Sequence, residues 1–215
     1  ADAPVLFVFH GVQRHADNYI AQWLDLARVH RIVLIVPEYS RAAFPGVRAY
    51  SHGWFTEKDG TPRPAGRWSF ASVEPVFAAV KQREGLTAGT YSVFGHSGGA
   101  QFAHRYVLAG GGPHLARVVS ANAGSYAMTD PAVAWAFGVA GLAAGLGNPA
   151  KAFAVPMTGV GLPMSYNVTP QLRLSFEAQN LTDEPLRYGK DTERDDTLLY
   201  GKSGRTYVLG ANYKF

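Results

Sequence analysis

Short unbroken apolar runs separated by amphipathic stretches fill residues 4–121, and strict alternation replaces them after about residue 160. Val5 to Phe9, Ile32 to Val36, Tyr91 to Phe94 and Ala116 to Ser120 predict four strands. Strands with so few polar interruptions fit a parallel sheet covered on both faces. Between the first two, Ile20, Trp23, Leu24 and Ala27 recur at i, i+3, i+4 and i+7, predicting a helix that buries that face. Val73, Val76, Phe77 and Val80 predict another, with Ser72 as its N-cap and Glu74 and Pro75 in its first turn. Strand–helix–strand alternation at this spacing predicts an α/β fold, a mostly parallel sheet with flanking helices.

In the last third, Leu172, Leu174, Phe176 and Ala178 alternate with Arg173, Ser175, Glu177 and Gln179. Tyr207, Leu209, Ala211, Tyr213 and Phe215 alternate with polar or small neighbours in the same way. Period-2 patterning predicts a C-terminal antiparallel β-hairpin segment, 172–179 paired with 206–215, flanking a polar loop over 183–203. Leu174, Phe176, Leu209 and Tyr213 are expected on its buried face, because a one-residue slip would turn every apolar side chain into water. The expected organisation is therefore two parts, residues 1–150 and 151–215. Free edges on such strands invite self-association.

Residues 40–70 form a long connection rich in Gly, Pro and aromatics, and connections of that length often contribute to a site. Residues 131–147 carry no charge. A run that barely reaches spanning length and is dominated by Gly and Ala reads as a buried helix or lid-like loop before a membrane span.

Composition narrows the function. The 215 residues are 47% hydrophobic, enough for a sizeable core. With no Cys, disulfides, thiolate metal sites and a Cys nucleophile are excluded. Twenty basic residues against 16 acidic leave a net charge of +4, but the basic residues are scattered, so no nucleic-acid footprint is expected. Ala1-Asp2-Ala3-Pro4 enters the first strand with no charged or apolar leader, so no signal segment is expected and the compartment stays open between cytoplasm, periplasm and exterior.

One motif carries chemistry. Gly95-His96-Ser97-Gly98-Gly99 follows a predicted strand and opens a helical stretch, the setting of a G-x-S-x-G nucleophile elbow. The turn is too sharp for bulk beside the serine, so the glycines are steric necessities. Ser97 is thereby the candidate nucleophile, with the Gly98 N–H aimed at a developing oxyanion. His10-Gly11-Val12 ends the first strand, where the Val12 N–H is expected to be the second donor. His10 itself reads as a buried support for that loop.

These residues, with Pro37-Glu38-Tyr39, Phe44-Pro45-Gly46, the stretch from Gln101 to Arg105 and that from Ala121 to Tyr126, resemble the α/β-hydrolase superfamily over about residues 4–130. The bacterial esterase and polyhydroxyalkanoate-depolymerase-like branch is the most similar. The resemblance implies a serine esterase: Ser97 attacks the carbonyl of a small or polymeric ester, a His takes its proton and an Asp orients that His. No metal or organic cofactor is implied. Ser165 to Gln171, Phe176 to Pro185 and Gly204 to Phe215 resemble the last strands of TonB-dependent outer-membrane receptors, down to the terminal aromatic. A few strands cannot close a barrel, so this chain alone is expected neither to form a pore nor to hold a membrane.

The family order Ser, acid, His finds no usual base here. After Ser97 come only His104, about two turns along the helix, and His114, expected at the opposite edge of the sheet. Asp130 is the acid in a plausible alternative place, and His52 and His10 are the candidate bases from the first half. For His15 and His52 the ordinary reading is solvated loop histidine. A strand over 152–155 is where the family's acid would follow. A second class of function stands beside the esterase: a non-catalytic chimeric or interaction protein with an outer-membrane-type β tail.

Overall fold

The unbroken apolar runs become the central strands. The computed structural model describes residues 2–128 and 130–142 fully, and the backbone of the strands between 157 and 213. β1 (Val5–Phe9), β2 (Val33–Ile35), β3 (Tyr91–His96) and β4 (Leu115–Ala121) pair in parallel, in the order β2-β1-β3-β4, and the short β5 (Met157–Val160) is the outermost strand. In β1 the side chains of Val5, Phe7, Val8 and Phe9 are all buried, as a strand covered on both faces requires. The residues expected in a strand over 152–155 lie outside the described residues.

Four helices flank this sheet: α1 (Ala16–Val29), the single turn α2 (Gly46–Ala49), α3 (Val73–Glu84) and α4 (Gly98–Leu108). α1 is rotated from the expected face. Ala16 and Ala27 are buried and Trp23 packs on Phe94 with ring centroids 4.7 Å apart, whereas Ile20 and Leu24 are 39% and 37% exposed. The inward line is Ala16, Tyr19, Trp23 and Ala27, because Tyr19 is drawn toward the sheet by hydrogen bonds described below. α3 buries Val73 and Phe77 as expected, and Ser72 stands at its N-cap without a capping side-chain bond: its hydroxyl donates to Ser69 O at 2.7 Å and meets the Tyr39 hydroxyl at 2.7 Å.

The 40–70 connection is a packing layer. It supplies Tyr50, Phe55, Trp68 and Phe70, which join Phe9, Tyr39, Phe102 and Tyr106 in one aromatic core. Residues 131–142 form turns, with no helix, and no helix among the described residues is long and apolar enough to cross a membrane.

The chain divides into two units, residues 1–158 and 159–215. In the second, β7 (Leu172–Gln179) is flanked by β6 (Leu162–Asn167) and by β10 (Thr206–Tyr213), all antiparallel. The register runs from Thr206 opposite Gln179 to Tyr213 opposite Leu172, which sets Leu174, Phe176, Leu209 and Tyr213 at positions of one face. The expected pair of strands is thus a trio. The expected polar loop also contains a separate hairpin of β8 (Leu186–Gly189) and β9 (Thr197–Gly201). Short runs of four and five residues there gave too little alternation to be read as strands.

Candidate active site

Strand order locates the site. The chain leaves β1 toward β2 on one side and later adds β3 on the other, so the carboxyl ends of β1 and β3 diverge to either side of a crevice. Ligands of open α/β sheets bind at such a switch point. Val12 follows one of these strand ends and Ser97 the other.

At the end of β3, Ser97 has φ 55° and ψ −113°, a conformation that L residues avoid and glycine favours. It is held on both sides: Ser97 N–H donates to Ala121 O at 2.9 Å, and Gln101 N–H donates to Ser97 O at 3.0 Å. The flanking glycines are dictated by contact. A Cβ on Gly95 would stand 2.2 Å from Gly99 O, and one on Gly99 would stand 2.0 Å from Phe9 O. Ser97 therefore projects at the N-terminus of α4, where unpaired N–H groups and the helix dipole favour negative charge.

Gly98 faces the 10–14 loop. A Cβ there would lie 2.9 Å from Val12 N and 2.7 Å from Val12 Cγ1. That loop is fixed at almost every polar atom. Tyr50 Oη donates to His10 O at 2.7 Å, Arg14 N–H donates to Gly11 O at 3.1 Å, and Arg41 donates to Val12 O at 3.2 Å. The Arg14 guanidinium stacks 4.0 Å over the Tyr50 ring and donates to Tyr39 O, Phe44 O and Gly46 O. The Val12 N–H has no partner among the described residues.

None of the seven histidines hydrogen-bonds Ser97 Oγ among the described residues. His10 is fully buried, with Nδ1 donating to Gly11 O at 3.1 Å and Nε2 accepting from Tyr39 N–H at 3.2 Å. Burial lowers its pKa, in keeping with this neutral tautomer. His52 is no solvated loop histidine: its ring meets Phe137 edge-on at 5.9 Å, and burial followed by the Arg105 charge lowers its pKa to about 4. His104 bonds Ala100 O and Ala127 N–H inside the protein, and burial with Arg105 lowers its pKa to about 3. His96 bonds the Tyr19 hydroxyl, His114 pairs with Glu74, and His15 and His30 are exposed. The Asp130 carboxylate accepts from Ala132 N–H at 2.8 Å, closing a local turn, and meets no His among the described residues.

Two features escaped the sequence reading. Tyr19 sits one position from the Ile20 stripe, and periodicity alone does not choose between the two lines. Arg105 is fully buried, and no carboxylate pairs with it among the described residues. It donates to Ala136 O at 2.9 Å, to Gln101 O at 3.2 Å and to Ser125 Oγ at 3.1 Å, clasping the segment after β4 to α4. Burial lowers its pKa to about 10, which leaves it charged at neutral pH. No group of three or more potential metal ligands gathers among the described residues.

Two solved structures similar to this chain are a polymer hydrolase and a depolymerase. The chain is similar to poly(aspartic acid) hydrolase-1 from Sphingomonas sp. KT-1, with 36% identity and a TM-score of 0.68 over 74% of this chain and 60% of that one. It is also similar to LpqC, a poly(3-hydroxybutyrate) depolymerase from Bordetella parapertussis, with 32% identity and a TM-score of 0.66 over 74% and 54%. The chain thus spans less than two thirds of either neighbour's length. No protein-family model and no curated protein matches it. The fold is of α/β-hydrolase type, as the parallel sheet, flanking helices and these neighbours show.

Proposed function

We propose that the chain is a serine hydrolase of carboxylic esters, with Ser97 as nucleophile and the Val12 and Gly98 N–H groups as oxyanion donors. One observation carries this reading: Ser97 is held at φ 55° and ψ −113°, a pair that glycine favours, and the next residue, Gly98, faces the Val12 N–H, which has no partner among the described residues. Backbone strain of that kind persists where the surrounding structure imposes it, commonly at functional sites.

In the step proposed, Ser97 Oγ bonds the carbonyl carbon as its proton leaves, and the carbonyl oxygen becomes an oxyanion facing Val12 and Gly98. The bond to the alcohol oxygen then breaks, leaving an acyl-serine that water hydrolyses. The described residues put no base beside Oγ, so the rate rests on the oxyanion donors and binding, which alone can give about 10³–10⁴-fold over water. That favours esters with good leaving groups, since an amide nitrogen must gain a proton as it departs. The neighbours' names, one a polyester depolymerase and one a poly(aspartic acid) hydrolase, support a polymeric acyl substrate.

The test is hydrolysis of nitrophenyl acetate by the full chain. Turnover is expected to vanish in Ser97→Ala and to climb toward alkaline pH without an inflection near 6.5. Activity that survives Ser97→Ala would overturn the assignment. Efficient hydrolysis of unactivated esters with an inflection near neutrality would mean that a base serves Ser97 after all.

A second reading, a non-catalytic interaction protein, is favoured by the register of the second unit. It aligns Leu162, Met164 and Tyr166 of β6 with the apolar positions of β7 and β10 on one face. A full chain that takes no fluorophosphonate label at Ser97, yet whose truncation after residue 160 changes its oligomeric state, would support this reading over the hydrolase.

A further inference from the structure

Two consecutive N–H groups leave β1 and meet different fates. Val12 N–H is unpartnered among the described residues, whereas Gly11 N–H donates to the Tyr19 hydroxyl at 3.0 Å. The same hydroxyl lies 2.8 Å from His96 Nδ1. Since it accepts from Gly11, its own proton is free for Nδ1. One oxygen atom therefore joins the loop that carries Val12 to the residue that precedes Ser97. A Cβ on Gly11 would stand 3.2 Å from that oxygen and 3.6 Å from Ser97 Cβ, so hydroxyl and nucleophile border the same narrow gap. The rings of Tyr19 and His96 stand 6.1 Å apart, in keeping with the bond at their edges. The link also accounts for the rotation of α1, which turns Tyr19 inward and leaves Ile20 and Leu24 exposed.

We propose that Tyr19 is a positioning residue that, together with His96, sets the spacing between the Val12 and Gly98 N–H groups so that both reach one oxygen. The proposal rests on the serine-hydrolase reading. It gives a role to the variable residue of the G-x-S-x-G motif and to a helix residue outside it. Loss of the link would leave both donors in place but misaligned. Removing one oxyanion donor outright costs about 10²–10³-fold, so misalignment is expected to cost about 10- to 100-fold.

The experiment is inactivation of the full 215-residue chain by an alkyl fluorophosphonate. In that reaction Ser97 Oγ bonds phosphorus, the P–F bond breaks, fluoride leaves, the hydroxyl proton passes to water, and the phosphoryl oxygen takes the oxyanion's place. Tyr19→Phe keeps the ring and removes the hydroxyl. Its limiting inactivation rate is expected to fall about 10- to 100-fold, with the half-saturating probe concentration within about twofold. His96→Asn, which keeps an acceptor near the Nδ1 position, is expected to recover most of the rate lost in His96→Leu. The double variant Tyr19→Phe/His96→Leu should be no slower than the slower single, because both remove one link. An unchanged rate in Tyr19→Phe, a loss confined to probe binding, or His96→Asn as slow as His96→Leu would each overturn the proposal. A wild-type chain that takes no label at Ser97 overturns the hydrolase reading and this proposal with it. A labelled wild type with an unaffected Tyr19→Phe overturns the proposal alone.

Discussion

Replacing Ser97 by Gly and by Ala separates backbone strain from chemistry, since both variants lack the hydroxyl. At φ 55° and ψ −113° a residue with a Cβ is strained by about 1–3 kcal/mol. Alanine keeps that strain and glycine releases it. Glycine also loses about 0.5–1 kcal/mol more conformational freedom on folding than alanine. The difference favours Ser97→Gly over Ser97→Ala by up to about 2.5 kcal/mol, the reverse of the usual order for these two residues. For a chain of this size that is a gap of up to about 10 °C in melting temperature. Calorimetry at pH 7, checked by urea unfolding, measures it. A Ser97→Gly variant that melts below Ser97→Ala would show that the elbow stores less strain than glycine's entropy cost of about 0.5–1 kcal/mol and would weaken the observation on which the nucleophile assignment stands.

Gly99→Ala drives a methyl group into Phe9 O and is expected to destabilise the fold by about 1–3 kcal/mol in urea unfolding while slowing Ser97 chemistry. Arg105→Met removes the charge that, after burial, depresses His52 and His104, so both imidazoles should titrate higher by NMR yet stay below 6.5. Stability should be full above about pH 6.5 and fall on acidification toward 4 and 3, because the unfolded chain takes up protons that the buried, neutral His52 and His104 refuse. At pH 5 the loss is up to about 2 kcal/mol for each group, read from urea midpoints at pH 7 and 5.

The parallel core was legible because its strands are short and largely apolar, β1 being buried on both faces. The elbow was legible for a different reason: a Cβ on Gly95 or Gly99 would stand 2.0–2.2 Å from backbone oxygens, which leaves only glycine as an option, so the constraint is written in residue type. What pairing decides was less legible. Ile20 and Leu24 satisfy the helical period as well as Tyr19 and Trp23 do, and only the bonds of Tyr19 to Gly11 and His96 choose between the two faces. His52 looked solvated because it lies in a long connection, while Phe137, whose ring it meets, and Arg105, whose charge acts on it, come from distant parts of the chain. Ser72 had the composition of a cap, yet its hydroxyl went to Ser69 O and Tyr39, partners that only the fold supplies. The catalytic base was unreadable from residue types, and none of the described histidines stands at Ser97 Oγ.

Ser97 is the proposed nucleophile, under two converging N–H donors. Treating the full chain with a fluorophosphonate and mapping the adduct by peptide mass spectrometry tests that assignment most directly. The account predicts a single phosphonylated peptide with the modification on Ser97, absent in Ser97→Ala and slowed when Gly98→Ala places a methyl group 2.9 Å from Val12 N. Labelling at another residue, or equal labelling of the Ser97→Ala variant, would contradict it.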